Sequence, residues 1–187
     1  MIRPKPLAVL LFVNINGGDQ MKCPTCNKKM DCKTGKYQYS ESGLDNVYLL
    51  GVEVCKCSCG ERSVSIPAIM ELHRVIGIAL VTKDTALTGK EIKFLRKNIG
   101  ISGKVFAEVI GIDRSTLSRW ENDNQVVSKS NDRLIRLVYL NFKGIAHKKI
   151  KNQIRDKFKE IKHEKKKSFR FTIPVKDWVP GPNMCEI

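Results

Sequence analysis

Hydrophobic and polar positions change their period along this chain, and the changes divide it. Tyr37 and Tyr39 alternate with polar residues, and Val47 to Val54 forms a second, more apolar run. Both runs read as strands, with turn residues Ser42-Gly43 and Asp45-Asn46 between them, so a hairpin is expected. From Ile69 the period becomes helical: Ile69, Leu72, Val75, Ile76, Ala79 and Leu80 share one face, and Pro67 stands where a helix begins. Lys83 to Leu87 reads as a short linker. Thr88 with Glu91 forms a capping box that opens a helix burying Ile92, Leu95 and Ile99. Ser102 caps a second short helix with Val105, Phe106 and Ala107. Gly111 supplies a turn, and Asp113 caps a third helix, Arg114 to Trp120. A fourth begins near Ser130 and carries Leu134, Leu137 and Val138. Further on, Ile150, Ile154, Phe158 and Ile161 make a narrow apolar stripe on a lysine-rich helix. Phe169, Phe171, Ile173 and Val175 then alternate as a strand, which Pro174 confines to a sheet edge.

Composition sharpens this outline. The 187 residues are 42 % hydrophobic and 28 % charged, as in a globular protein. Of the net charge of +15, +9 falls within residues 143–170. Such a balance favours a polyanionic partner, nucleic acid or an anionic membrane surface. The stripe on the basic helix is thin for membrane binding; packing on the body and extra phosphate contacts are the other readings. At the start, Arg3 and Lys5 followed by Leu7 to Val13 resemble a signal peptide. No small-x-small cleavage site follows, and the run is too short to span a bilayer. A start at Met21, directly before the first cysteine pair, is the alternative expectation, and residues 1–20 are set aside for function.

Six of the seven cysteines lie between Cys23 and Cys59. Cys23-Pro24-Thr25-Cys26 is a CxxC loop, and Cys55-Lys56-Cys57-Ser58-Cys59-Gly60 follows about thirty residues later. Close pairs from two places on the chain suit one tetrahedral metal ion better than distant disulfides. With a hairpin between the loops, the pattern reads as a zinc ribbon. Cys23, Cys26, Cys57 and Cys59 are the expected ligands, with Cys55 the alternative; Cys32 and Cys185 are expected to be free thiols. Four thiolates leave no open position for water, and no HExxH occurs among His73, His147 and His163. The zinc is therefore expected to be structural and the protein not an enzyme. No βαβ pattern surrounds Cys23 to support a redox CxxC.

Ala107 and Gly111 suit a close crossing of the second and third helices, with Leu117 and Trp120 filling the space beneath. That leaves Arg114, Ser115, Ser118 and Arg119 on the exposed side, where arginine can read guanine and serine can meet base or phosphate. Ser102, Lys104 and Thr116 complete the expected DNA-binding set, and the starts of both helices can receive phosphates.

Ile101 through Asn122, ISGKVFAEVIGIDRSTLSRWEN, resembles the helix-turn-helix of Xre/Cro-type repressors. MKCPTC at 21–26, YSESGLDNVYL at 39–49, CSCGE at 57–61 and IPAIMELHRVI at 66–76 resemble the zinc half of MqsA (YgiT-type) proteins, in the same module order. Two features depart from the pattern: the second metal loop is CxC, and Gly103 stands where such repressors often carry a DNA-contacting Gln. The resemblance implies a zinc domain that serves partner binding and a helical module that dimerises and represses its operator. The expected architecture is a zinc-ribbon β domain (21–66), a connecting helix and linker (67–87), an all-α Cro/repressor-like helix-turn-helix domain (88–142), and a basic helix with an edge strand (143–187). The expected function is that of a cytoplasmic, homodimeric transcriptional regulator of double-stranded operator DNA. It would be the antitoxin of a type II pair, holding a toxin protein; the alternative is a free-standing zinc-containing regulator.

Overall fold

The computed structural model describes residues 21–145 and 170–179. The signal-like stretch 1–20, the stripe of Ile150, Ile154, Phe158 and Ile161, and Cys185 lie outside the described residues. Two compact units divide the rest. The first holds residues 21–39, 47–72 and 172–179, and the second holds 40–46, 73–145 and 170–171.

The first unit is built on a sheet. Strand β1 (Asp31–Gln38) pairs antiparallel with β2 (Val47–Lys56), from Asp31 opposite Lys56 to Gln38 opposite Tyr48, with an irregularity between Gly35 and Lys36. Strand β3 (Arg62–Ser65) pairs with the end of β2, and β4 (Phe171–Pro174) also pairs with β2. The expected hairpin is present, but β1 starts well before Tyr37 and Tyr39 lies beyond its end. β3 was not expected, because four residues are too few to display a period. The expected edge strand ends at Pro174 rather than Val175, which opens a 3-10 turn to Asp177, while Phe169 lies outside the described residues. Val47, Leu49 and Val52 are fully buried, and Trp178 joins this unit's core while its Nε1 donates to the Pro67 carbonyl at 2.9 Å.

Among the described residues five α-helices follow in chain order: α1 (Ile69–Thr82), α2 (Gly89–Ile99), α3 (Gly103–Ile110), α4 (Arg114–Glu121) and α5 (Lys129–Phe142). Their ends show why the chain folds so locally. At α2 the Thr88 hydroxyl accepts from the Glu91 N–H, and the Glu91 carboxylate accepts the Thr88 N–H in return. Ser102 accepts from the Val105 N–H at the start of α3, and Gly111 ends that helix at φ 75°, a conformation glycine adopts without strain. Asp113 occupies the N-cap of α4, but its side chain makes no capping bond, so the expected cap is not formed. Helix α5 opens slightly earlier than expected, with Ser128 as its cap, and Leu137 is exposed; the buried face carries Ile135, Tyr139 and Leu140. The expected linker around Lys83–Leu87 is clamped by buried charges. Arg136 donates to the carbonyls of Val81, Lys83 and Thr85 and to Asp132, which also accepts the Leu87 N–H. Lys83 pairs with Glu91 at 2.6 Å. Among the described residues, no helix is long and apolar enough to cross a membrane.

Candidate nucleic-acid interface and metal centre

In the second unit, α3 and α4 form the candidate interface. Phe106, Ala107, Leu117 and Trp120 are buried between the packed helices, as their spacing predicted. Two longer-range contacts hold α4 against α2. Arg96 grips Glu121 through two hydrogen bonds, of 2.6 and 3.0 Å, and also donates to the Ile101 carbonyl. Both charges are largely buried, and the pairing raises the Arg96 pKa. Gly89 lets the start of α2 approach the end of α4: a Cβ there would stand 2.2 Å from the Trp120 carbonyl oxygen. The Gly89 N–H donates to Asp123 at 2.9 Å.

This packing leaves Ser102, Lys104, Arg114, Ser115 and Arg119 exposed, and Thr116 and Ser118 half-buried. Ser118 is engaged within its own helix end, where Asn122 Nδ2 donates to its carbonyl at 2.8 Å. Sequence reasoning missed the relation between Gly103 and Arg114. Gly103 is buried because the Arg114 guanidinium lies over it, and a Cβ at position 103 would meet Arg114 Cζ and Nε at 2.9 Å. The absent side chain noted in the sequence is thus matched by an arginine reaching across from the next helix.

In the first unit, two loops bring Cys23, Cys26, Cys57 and Cys59 together, every sulfur within 4.8 Å of the others. The Cys23–Cys59 and Cys26–Cys57 sulfur pairs are 3.6 and 3.4 Å apart. Four sulfurs tetrahedrally placed about 2.3 Å from zinc would lie about 3.8 Å from each other, so these dimensions fit the ion. Both loops are hydrogen-bonded turns. Asn27, at φ 57°, donates its N–H to the Cys23 carbonyl, and Gly60, at φ 91°, donates to that of Cys57. Thr25 Oγ1 donates to Glu61 at 3.0 Å and ties one loop to the other.

The sulfurs share charge unequally. The Cys59 backbone N–H, with the neighbouring thiols, brings Cys57 down to about 6. Against a lowering contribution from the Glu61 backbone, the Cys57 and Cys26 sulfurs push Cys59 up to about 12. Without a cation one thiolate suppresses the next; a bound metal removes that repulsion. The four thiols can therefore hold a metal ion. Cys55, the alternative ligand, is not in this quartet: it forms a disulfide with Cys32, which corrects the expectation that Cys32 is a free thiol. The two cysteines face each other only through strand register, which their spacing does not display.

A family model described as helix-turn-helix matches residues 92–138, from α2 into α5. No curated protein and no solved structure matches the chain. The chain thus carries a helical helix-turn-helix domain beside a sheet whose cysteines are placed for metal binding, and the match supports a DNA-binding transcriptional regulator.

Proposed function

We propose that this protein is a sequence-specific regulator that binds operator DNA as a homodimer, with Arg114 and Arg119 of α4 as its main base-reading residues. The observation that carries the reading is the helix-turn-helix match over 92–138, combined with the exposure of Arg114, Ser115 and Arg119 on the third helix of that segment. A guanidinium can make paired hydrogen bonds to guanine, whereas Lys104 and Ser102 suit phosphates. Two-fold pairing doubles the contacts that one short helix supplies. Zinc, held by Cys23, Cys26, Cys57 and Cys59, stabilises the first unit. The four thiols and their close spacing support this, and four sulfur ligands leave no reactive position on the metal.

The regulator's place is that of a type II antitoxin that represses its own operon and uses the zinc domain to hold a toxin. The MqsA-like segments and their order support this reading. The test is crosslinking of the chain to DNA in its own cells with sequencing of the bound fragments, beside a pull-down read by mass spectrometry. Enrichment of a two-fold site upstream of its own gene, with a stoichiometric small partner lost on mutating the zinc domain, is expected. Specific DNA without a protein partner would leave the free-standing regulator. Absence of any enriched DNA site would overturn the reading.

A further inference from the structure

The disulfide in the first unit belongs to a second cluster of metal-ligating groups. Register pairs Cys32 of β1 with Cys55 of β2, and Cys55 with Ser63 of β3. Directly opposed residues, and residues two apart on one strand, project from the same face of a sheet. Cys32, Cys55 and Ser63 therefore form a row across three strands, with Glu53 beside it. The Cys32 and Cys55 sulfurs and a Glu53 carboxylate oxygen lie within 4.8 Å of one another. Cys55 is fully buried, Cys32 half-buried and Glu53 exposed, so solvent reaches the cluster from the Glu53 end.

Two further observations point to a ligand rather than to a structural cross-link alone. Ser63 is 2 % exposed, and its hydroxyl has no hydrogen-bond partner among the described residues. A buried hydroxyl left this way is costly, and a cation or its bound water in the row would satisfy it. The disulfide also joins residues that the β1–β2 ladder already holds opposite each other. The ladder runs on from Lys33 opposite Val54 to Gln38 opposite Tyr48 through backbone pairing that does not involve the disulfide, so opening it need not unravel the sheet.

We infer that in the reduced protein Cys32, Cys55 and Glu53 bind a second thiophilic divalent cation of the zinc class, with the Ser63 hydroxyl as the adjacent oxygen. Two molecules of a small cellular thiol reduce the disulfide, giving two cysteine thiols and the oxidised small disulfide. Binding of the cation then displaces the two thiol protons. Two soft sulfurs with one carboxylate favour zinc or cobalt over calcium or magnesium. The site shares no ligand with the Cys23–Cys26–Cys57–Cys59 quartet and stands whether or not the chain binds DNA.

Cobalt(II) titration of the metal-free full chain tests this, performed anaerobically on phosphine-reduced protein and on protein with the disulfide intact. The reduced chain is expected to bind one more equivalent than the oxidised chain, with an absorption spectrum of mixed sulfur and oxygen ligation. Cys32→Ser should abolish that extra equivalent. Glu53→Gln, at an exposed position that spares the fold, should weaken it about tenfold and leave the other equivalent unchanged. Equal stoichiometry in the two redox states, or an extra equivalent indifferent to both substitutions, would overturn the assignment.

Discussion

The guanidinium of Arg114 lies over Gly103: a Cβ at position 103 would be 2.9 Å from both Cζ and Nε of Arg114. Two residues on successive helices thus compete for one volume. Gly103→Gln should displace Arg114, lowering operator affinity several-fold and altering base preference at one position. Because only the far end of a flexible side chain must move, the thermal midpoint should change little. Anisotropy titrations against a panel of single-base operator variants, beside a melt, would check this; unaltered preference would remove the steric role of Gly103.

Arg119 makes no ion pair that would compete with DNA among the described residues and is exposed on the same helix. Arg119→Ala is expected to cost about 1–3 kcal/mol at the operator while leaving non-specific binding nearly unchanged. Lys104→Ala, if Lys104 meets a phosphate, should weaken all sequences alike and reduce the salt slope by about one. Titrations at several salt concentrations separate the two behaviours.

Arg136 and Asp132 are about 1 % exposed and serve as each other's counter-charge, while Arg136 also satisfies three carbonyls of the Val81–Thr85 segment. Arg136→Ala strands a buried carboxylate and those carbonyls. A loss of about 3–5 kcal/mol is expected, read from urea unfolding of the full chain. A loss below about 1 kcal/mol, the range of exposed pairs, would mean that water replaces the clamp.

Removing the metal should act mainly on the first unit. Cys57→Ser, or a chelator, is expected to abolish the zinc proposed for the quartet and melt the sheet signal in circular dichroism. Helices α2 to α5 bury their own core of Ile92, Leu95, Phe106, Leu117 and Ile135, so helical ellipticity should persist. Metal content by mass spectrometry and the two spectral signals together decide this, and simultaneous loss of helix would contradict it.

His73 sets a pH dependence in the second unit. Its ring meets Phe94 edge-on, with centroids 5.7 Å apart, and burial, then the charge of Lys143, lowers its pKa below 6.5. The folded protein therefore binds fewer protons than the unfolded chain between the lowered value and 6.5. The stability this represents is present above pH 6.5 and lost as pH falls through the folded pKa. His73→Gln should flatten the slope of unfolding free energy between about pH 7 and pH 5. An unchanged slope would assign the acid sensitivity to other groups.

Much of the helical unit is readable in the chain because its signals are local. Thr88 and Glu91, Ser102 and Val105, and Gly111 act within one helical turn, so residue type and spacing suffice to find them. The CxxC and CxC loops are equally local, and their spacing suffices to mark four thiols that could hold a metal ion. Asp113 shows the limit of such reasoning: a good capping residue at the right position leaves its bond unmade. β3 escaped notice for another reason, since it exists through its ladder with β2 rather than through a pattern of its own.

By itself the sequence determined the hairpin between the cysteine loops, the starts of α2 and α3, the four clustered thiols and the helix-turn-helix pattern, all consequences of spacing within a few residues. Tertiary structure alone decided that Cys55 joins Cys32 rather than the quartet, that Arg114 occupies the space above Gly103, and that Arg136 closes on Val81, Lys83 and Thr85. Each of these depends on which distant side chains strand register and helix packing bring within a few ångströms, and that geometry is written in no single stretch of chain.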